Sequence, residues 1–309
     1  MNKVFLSILL FFFALTAAAQ QKVKVLKQQS LKRYGIPAGN YSGITHIGGN
    51  RYAVCNDKRA GGFHVWEIDI DSLSGKVRKI TDCGFRGSNG TSCQDAEGIA
   101  YVPELQTIFM ASEADSRIYS FSLDGTQKPE KTEVLLSRKP NNSGLEGLTY
   151  DRQRQCLWTM EENDGKGRCQ LQTLSTQLST LNNYLYTLDV PTTQKHGMAY
   201  AHGISAICAL DDGRLLILER EAFVPQKKIG AWVRCKLYAV EPEKTPEKQL
   251  MAAWRTRLNL TTRSWANYEG ICLGPQLKDG RRVLILISDS QNRYGGILQD
   301  RIRTVLLYP

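Results

Sequence analysis

The chain has 309 residues, 42% of them apolar, and a formal charge of +10 from 40 Lys+Arg against 30 Asp+Glu. That length supports one large domain with a substantial core, and no segment after the first twenty residues is long and apolar enough for a membrane span. No Arg-rich block or aromatic nucleic-acid motif is present, so the positive charge suits either solubility or an anionic ligand, surface glycan or envelope.

Residues 1–19 read as a signal peptide. Lys3 supplies the charge, Val4 to Leu15 the apolar core, and Ala17-Ala18-Ala19 the small-residue cleavage site. The expectation is a secreted or periplasmic protein whose domain occupies residues 20–309, with no transmembrane anchor. Eight cysteines lie in a compartment that permits disulfides. Cys83 with Cys93 is the most plausible bridge and Cys156 with Cys169 the next, whereas Cys55, Cys208 and Cys272 sit in apolar strands and read as buried thiols. No C-x-x-C pair occurs, which argues against zinc.

From Ser42 onward one pattern recurs five times. A Gly followed by an apolar residue, usually preceded by an acid, leads through a turn to an apolar run ending in Asp or Glu. The copies begin at Ser42-Gly43, Glu97-Gly98, Glu146-Gly147, His202-Gly203 and Glu269-Gly270, with glycines 55, 49, 56 and 67 residues apart. The runs end at Asp57, Glu113, Glu161, Glu219 and Asp289. Such a period signals a repeat architecture. Apolar segments of 4–8 residues, with tight turns at Asp124-Gly125, Asp211-Asp212-Gly213 and Asp279-Gly280, predict antiparallel strands in each repeat. The fold class expected is all-β, a β-propeller of four-stranded blades. Five blades are favoured. Six stay open, because the 67-residue spacing has room for extra strands. The last repeat lacks an outer strand, and Lys22 to Leu31 is expected to supply it and close the ring.

First strands line a propeller's channel, so Glu97, Glu146 and Glu269 are expected to converge near its axis. Clustered carboxylates must stay solvated, share protons, meet a cation or bind a metal. Oxygen ligands suit calcium or magnesium. The structural alternative is that an acid before Gly fixes the turn into each blade. The run-end acids are expected to cap loops or face the same opening, with capping slightly favoured. His202 replaces the Glu of the fourth repeat and can move protons near neutral pH. Glu219-Arg220-Glu221 suggests an arginine poised for an anionic group. Asp69-Ile70-Asp71 with Gly75 reads as a hairpin turn rather than a calcium loop. No nucleophile elbow, P-loop, zinc-protease or dinucleotide motif is found.

The motifs Asp95-Ala96-Glu97-Gly98-Ile99-Ala100, Gly144-Leu145-Glu146-Gly147-Leu148-Thr149-Tyr150-Asp151, Asp212-Gly213-Arg214-Leu215-Leu216-Ile217-Leu218-Glu219-Arg220 and Asn267-Tyr268-Glu269-Gly270-Ile271 occur in this order. With Gly203-Ile204-Ser205 and Ser288-Asp289, they resemble the phytase-like, or "esterase-like activity of phytase", family of secreted propellers. The resemblance spans roughly Gly43 to Leu307. It implies hydrolysis of a phosphoester or ester; the residues themselves suggest Glu97, Glu146 and Glu269 as metal ligands or bases, with calcium as a candidate cofactor. On the same reading of the residues, Glu219 and Arg220 are expected to bind substrate, Arg220 holding an anion, and His202 to transfer protons. The segment Ser288 to Arg293 has one acid fewer than the family's usual stretch, which weakens the case for a metal at Asp289. An anionic small-molecule or ester substrate, no nucleic-acid partner and a monomer are expected. The competing reading is a non-catalytic propeller that recognises a glycan, peptide or envelope partner.

Overall fold

The computed structural model describes residues 23–87, 92–133, 144–193, 196–244, 247–261, 263–291 and 297–309. The signal peptide expected at residues 1–19 lies outside them. Five antiparallel sheets form a closed ring, and among the described residues there is no α-helix and no helix able to cross a membrane.

Blade 1 comprises β3 (Tyr41–Gly48), β4 (Arg51–Asn56), β5 (Gly62–Ile70) and β6 (Val77–Gly87). Blade 2 comprises β7 (Ala96–Val102), β8 (Thr107–Ser112), β9 (Arg117–Ser122) and β10 (Gln127–Glu133). Blade 3 is built from β11 (Leu145–Asp151), β12 (Cys156–Glu161), β13 (Arg168–Leu174) and β14 (Thr180–Thr187). Blade 4 uses β15 (Ala199–Ala209), β16 (Leu215–Val224), β17 (Trp232–Val240) and β18 (Lys248–Arg257). Blade 5 takes β19 (Asn267–Gln276), β20 (Arg282–Asp289) and β21 (Arg301–Leu307) from the end of the chain. Its outer strand is β1 (Val23–Val25), which pairs antiparallel with β21 through Val23–Leu307 and Val25–Val305. The short β2 (Gln29–Ser30) continues along β21. The N-terminal strand therefore closes a five-bladed ring, and the wide fourth spacing is filled by longer strands rather than a sixth blade.

The core is divided into five apolar clusters, one between each pair of neighbouring blades. Alternation along β8 shows how. Ile108 and Met110 face blade 1, while Phe109 and Ala111 face blade 3. A middle strand buried on both faces reads as a continuous apolar run, which is why these runs dominate the sequence. Trp158 of β12 fills the gap between blades 3 and 4, and Trp66 of β5 the gap between blades 5 and 1. Each such buried side chain contributes about 1.5–3 kcal/mol, so neighbouring blades hold one another.

All eight cysteines are free, seven of them buried. Cys156 begins β12 beside the β11–β12 turn, while Cys169 lies at the far end of β13, donating to the Glu162 carbonyl. The Cys156–Cys169 bridge is thereby corrected. So is the Cys83–Cys93 bridge, since Cys83 is exposed and Cys93 packs between blades 1 and 2. Asp71 accepts the Leu73 and Ser74 N–H groups, as a turn acid does.

Candidate functional site at the axis

The recurring acid-Gly pair is a β-bulge. In every innermost strand the ladder skips one residue: Ser42, Glu97, Glu146, Ser205 and Glu269. A bulge leaves its extra residue unpaired and re-aims the side chain. The next residue is Gly in four blades because the innermost strands crowd the axis. A methyl group on Gly98 would come within 2.7 Å of the Leu148 amide nitrogen, and one on Gly147 within 2.9 Å of Ile207.

This register corrects two sequence alignments. Ser205, not His202, occupies the bulge of blade 4. His202 lies three residues earlier, in an extension of β15 opposite Glu221. The structurally equivalent second-strand ends are Asp57, Glu113, Glu162, Arg220 and Asp289, each one residue past the pair that precedes its bulge. Glu161 and Glu219 are thus one residue out of phase. Glu161 accepts the Gln170 N–H at 2.7 Å. Glu219 accepts the Tyr186 hydroxyl at 2.7 Å, Lys248 Nζ at 2.5 Å and the Asp189 N–H at 3.2 Å. Its position away from the axial cavity gives no support to a part in substrate binding.

Glu97, Glu146 and Glu269 converge on one axial cavity of about 470 Å³, together with Asp57, Asp95, Glu113, Glu162, His202 and Arg220. Ala222, Val224, Val233, Trp265 and Leu298 form an apolar wall. Sequence reasoning missed Asp57 and Glu113 as cavity residues only in part, but missed Asp95 and Glu162 altogether. Glu162 was legible in principle as the second acid of Glu161-Glu162.

The charges divide into three groups. Arg220, 7% exposed, donates to Glu269 at 2.5 Å, to Glu162 at 2.7 Å and to Asn267 at 3.2 Å. Burial works against its charge, but Glu162, Glu269 and Glu146 outweigh that and hold the guanidinium protonated. Asn267 also donates to Glu269 at 2.6 Å. Lys58 forms the second group, pairing with Asp57 at 2.7 Å and Asp95 at 3.4 Å. Glu97 and Glu146 are the third. Neither has a hydrogen-bond or ion-pair partner among the described residues, although Glu146 is only 7% exposed. Burial pushes the Glu97 carboxyl well up, and the charges of Glu146 and Glu269 push it further. Burial raises Glu146 likewise, with Glu162 adding to the shift and Arg220 opposing it. Burial lowers His202, while Glu221 and Glu219, on the other face of blade 4 from the axial acids, oppose the shift.

One carboxylate oxygen from each of Asp57, Asp95 and Glu97 can be taken within 4.8 Å of the others. Asp57 Oδ1 is buried with no hydrogen-bond partner. An all-oxygen donor set with an orphaned buried oxygen fits a hard cation such as calcium or magnesium. Of the three expected metal ligands only Glu97 belongs to this trio. Glu269 is engaged by Arg220 and Asn267, and Glu146 stands alone.

A five-bladed propeller with an acid-lined axial cavity is the class that fold and site define. The sequence profile described as "Phytase-like: Esterase-like activity of phytase" matches residues 36–291, and the chain belongs to that family. No curated protein matches the sequence. Among solved structures, one described as a nidogen/laminin complex is similar at 11% identity and TM-score 0.46, covering 86% of this chain and 84% of that one. The PQQ-bound aldose sugar dehydrogenase from Streptomyces coelicolor is similar at 13% identity and TM-score 0.46, covering 94% and 99%. A structural genomics protein of unknown function from Bacteroides thetaiotaomicron is similar at 11% identity and TM-score 0.43, covering 93% and 76%.

Proposed function

We propose that the protein is a cation-assisted hydrolase of small esters, acting in the axial cavity. The observation that carries this reading is the pair of carboxyl groups, Glu97 and Glu146, that face the cavity without partners among the described residues, beside the Asp57-Asp95-Glu97 trio. Buried acids without partners carry a desolvation penalty that a bound cation or a held proton offsets.

In this reading Asp57, Asp95 and Glu97 hold the cation, calcium being the first candidate. When bound, the cation supplies electrophilic assistance to the ester oxygen and favours an activated water. Glu146 takes a proton from the attacking water, or gives one to the departing alkoxide, a role that its raised carboxyl suits. Arg220 acts as a positioning residue: its contacts to Glu162, Glu269 and Asn267 fix the acids. The surplus of acids disfavours a free polyanion and favours a substrate that enters with the cation. The apolar wall of Val224, Val233, Trp265 and Leu298 suits an ester bearing an apolar group. The family match supports a hydrolase of this general type.

The test is a panel of p-nitrophenyl carboxylic and phosphate esters, assayed with purified protein in EDTA and with added calcium or magnesium. Cation-dependent turnover that Glu146→Gln abolishes is the expected result. No turnover under any condition, with no effect of cations on melting, would leave the non-catalytic binding propeller as the better account.

A further inference from the structure

Blade 4 carries a second charged group on the sheet face opposite the axial cavity. Side chains alternate along its strands, so that Ala222, Val224 and Val233 line the cavity while Phe223, Trp232 and Arg234 turn away from it. The register of β17 and β18 sets Trp232 opposite Arg257 and Arg234 opposite Arg255. Like charges directly opposed on one face of a sheet are destabilising. Three arginines therefore crowd one patch. Arg255 lies over the Trp232 ring, its guanidinium carbon 4.1 Å from the centroid, and Arg234 stands 6.0 Å from the same ring.

Among the described residues no carboxylate hydrogen-bonds to them. Across the ladder Arg234 faces Glu221, but that carboxylate already accepts the Thr192 N–H at 2.8 Å, the Thr192 hydroxyl at 2.6 Å, the Thr193 N–H at 3.2 Å and the Tyr200 hydroxyl at 3.2 Å. Lys236, next on this face, is paired with Asp189. Among the described residues the guanidinium groups of Arg234, Arg255 and Arg257 have no hydrogen-bond acceptor, and Arg255 Nε is buried without one. Burial and the two neighbouring arginines lower the Arg255 pKa, outweighing an opposing contribution from Glu221.

We propose that Arg234, Arg255 and Arg257 form an anion site for a phosphate or sulfate monoester group. Guanidinium forks match the tetrahedral oxyanion with paired N–H donors, and Trp232 holds the central fork by stacking. A bound dianion would relieve the repulsion between the opposed arginines. The site is separate from the axial cavity and does not depend on the hydrolase reading.

Thermal melting and tryptophan fluorescence in low-salt buffer test it, with inorganic phosphate, sulfate and glucose 6-phosphate as probes and potassium chloride at matched ionic strength as control. Phosphate and sulfate are expected to raise the melting temperature more than chloride does. A stronger effect of glucose 6-phosphate would mark a sugar ester as the preferred source. Arg234→Gln should raise melting in the absence of anion, because it removes the repulsion, and should weaken phosphate binding at least tenfold. Arg257→Gln, at the exposed edge, gives the same reading if the first variant folds poorly. Glu146→Gln, in the axial cavity, should keep the phosphate response. A wild-type response no larger than that to chloride, or an undiminished response in the arginine variants, would overturn the proposal.

Discussion

Arg220 stands in blade 4 at the position Glu162 holds in blade 3, and the two side chains meet at 2.7 Å. One substitution in a repeated position thus converts a ring of acids into a buried ion network. Arg220→Met should destabilise the protein by about 3–5 kcal/mol, because it leaves Glu162 and Glu269 buried without their cation. Urea denaturation measures this. A midpoint within error of the wild type would mean that those acids are protonated and need no arginine.

The axial glycines make a steric prediction. Gly98→Ala places a methyl group 2.7 Å from backbone rather than from a flexible side chain, so the strands must part. A loss of about 1–3 kcal/mol is expected, the usual cost of overpacking. Gly49→Ala is the contrast. Nothing lies within 4 Å of its added carbon, and only the left-handed backbone, with φ of +59°, opposes it. The two variants compared by thermal melting separate axial crowding from turn conformation.

Stability should depend on pH through Glu97 and Glu146. Both carboxyl groups are raised in the folded protein above the ordinary value of 4.5. The folded state then holds protons that the unfolded chain has released. The stabilisation is complete below the unfolded value and is lost as pH rises through the folded values. In EDTA the protein should therefore melt higher at pH 5 than at pH 8. Calcium should reduce the difference by replacing the protons, and Glu146→Gln should flatten it. Equal melting at both pH values, with and without calcium, would mean that these carboxyl groups are not shifted.

Much of this was legible in sequence, and the limits have a physical cause. The acid-Gly pairs announced the repeat because a bulge and a crowded axis constrain adjacent residues together. Blade 4 escaped because its bulge uses Ser205 and Ala206, which carry no such signature, while His202-Gly203 imitates it three residues away. A one-residue shift in a strand turns a side chain to the other face. That is how Glu161 and Glu219 stood in for Glu162 and Arg220. Asp95 was invisible as a cavity residue because its place depends on which neighbouring blade supplies Asp57 and Lys58. The disulfides failed for a similar reason, since proximity along the chain says little about opposite ends of a blade.

Deleting residues 20–30 should lower the melting temperature sharply and promote self-association, because it strips β1 and β2 from β21 and bares a strand edge. Light scattering and melting of the truncated protein check both outcomes. A peptide spanning residues 20–31 should restore part of the loss when added in excess.

The same seam sets a schedule for biogenesis. During synthesis β1 is made ahead of β2 to β20, and its partner β21 follows them all. The four intervening blades can form as their strands appear, each a local meander of low loop-closure entropy. Blade 5 cannot. Its sheet joins β1 to β21, so a ribosome that stalls before Arg301 leaves an open arc with β1 unpaired. The residues Arg301 to Leu307 decide whether the strands made before them become a ring.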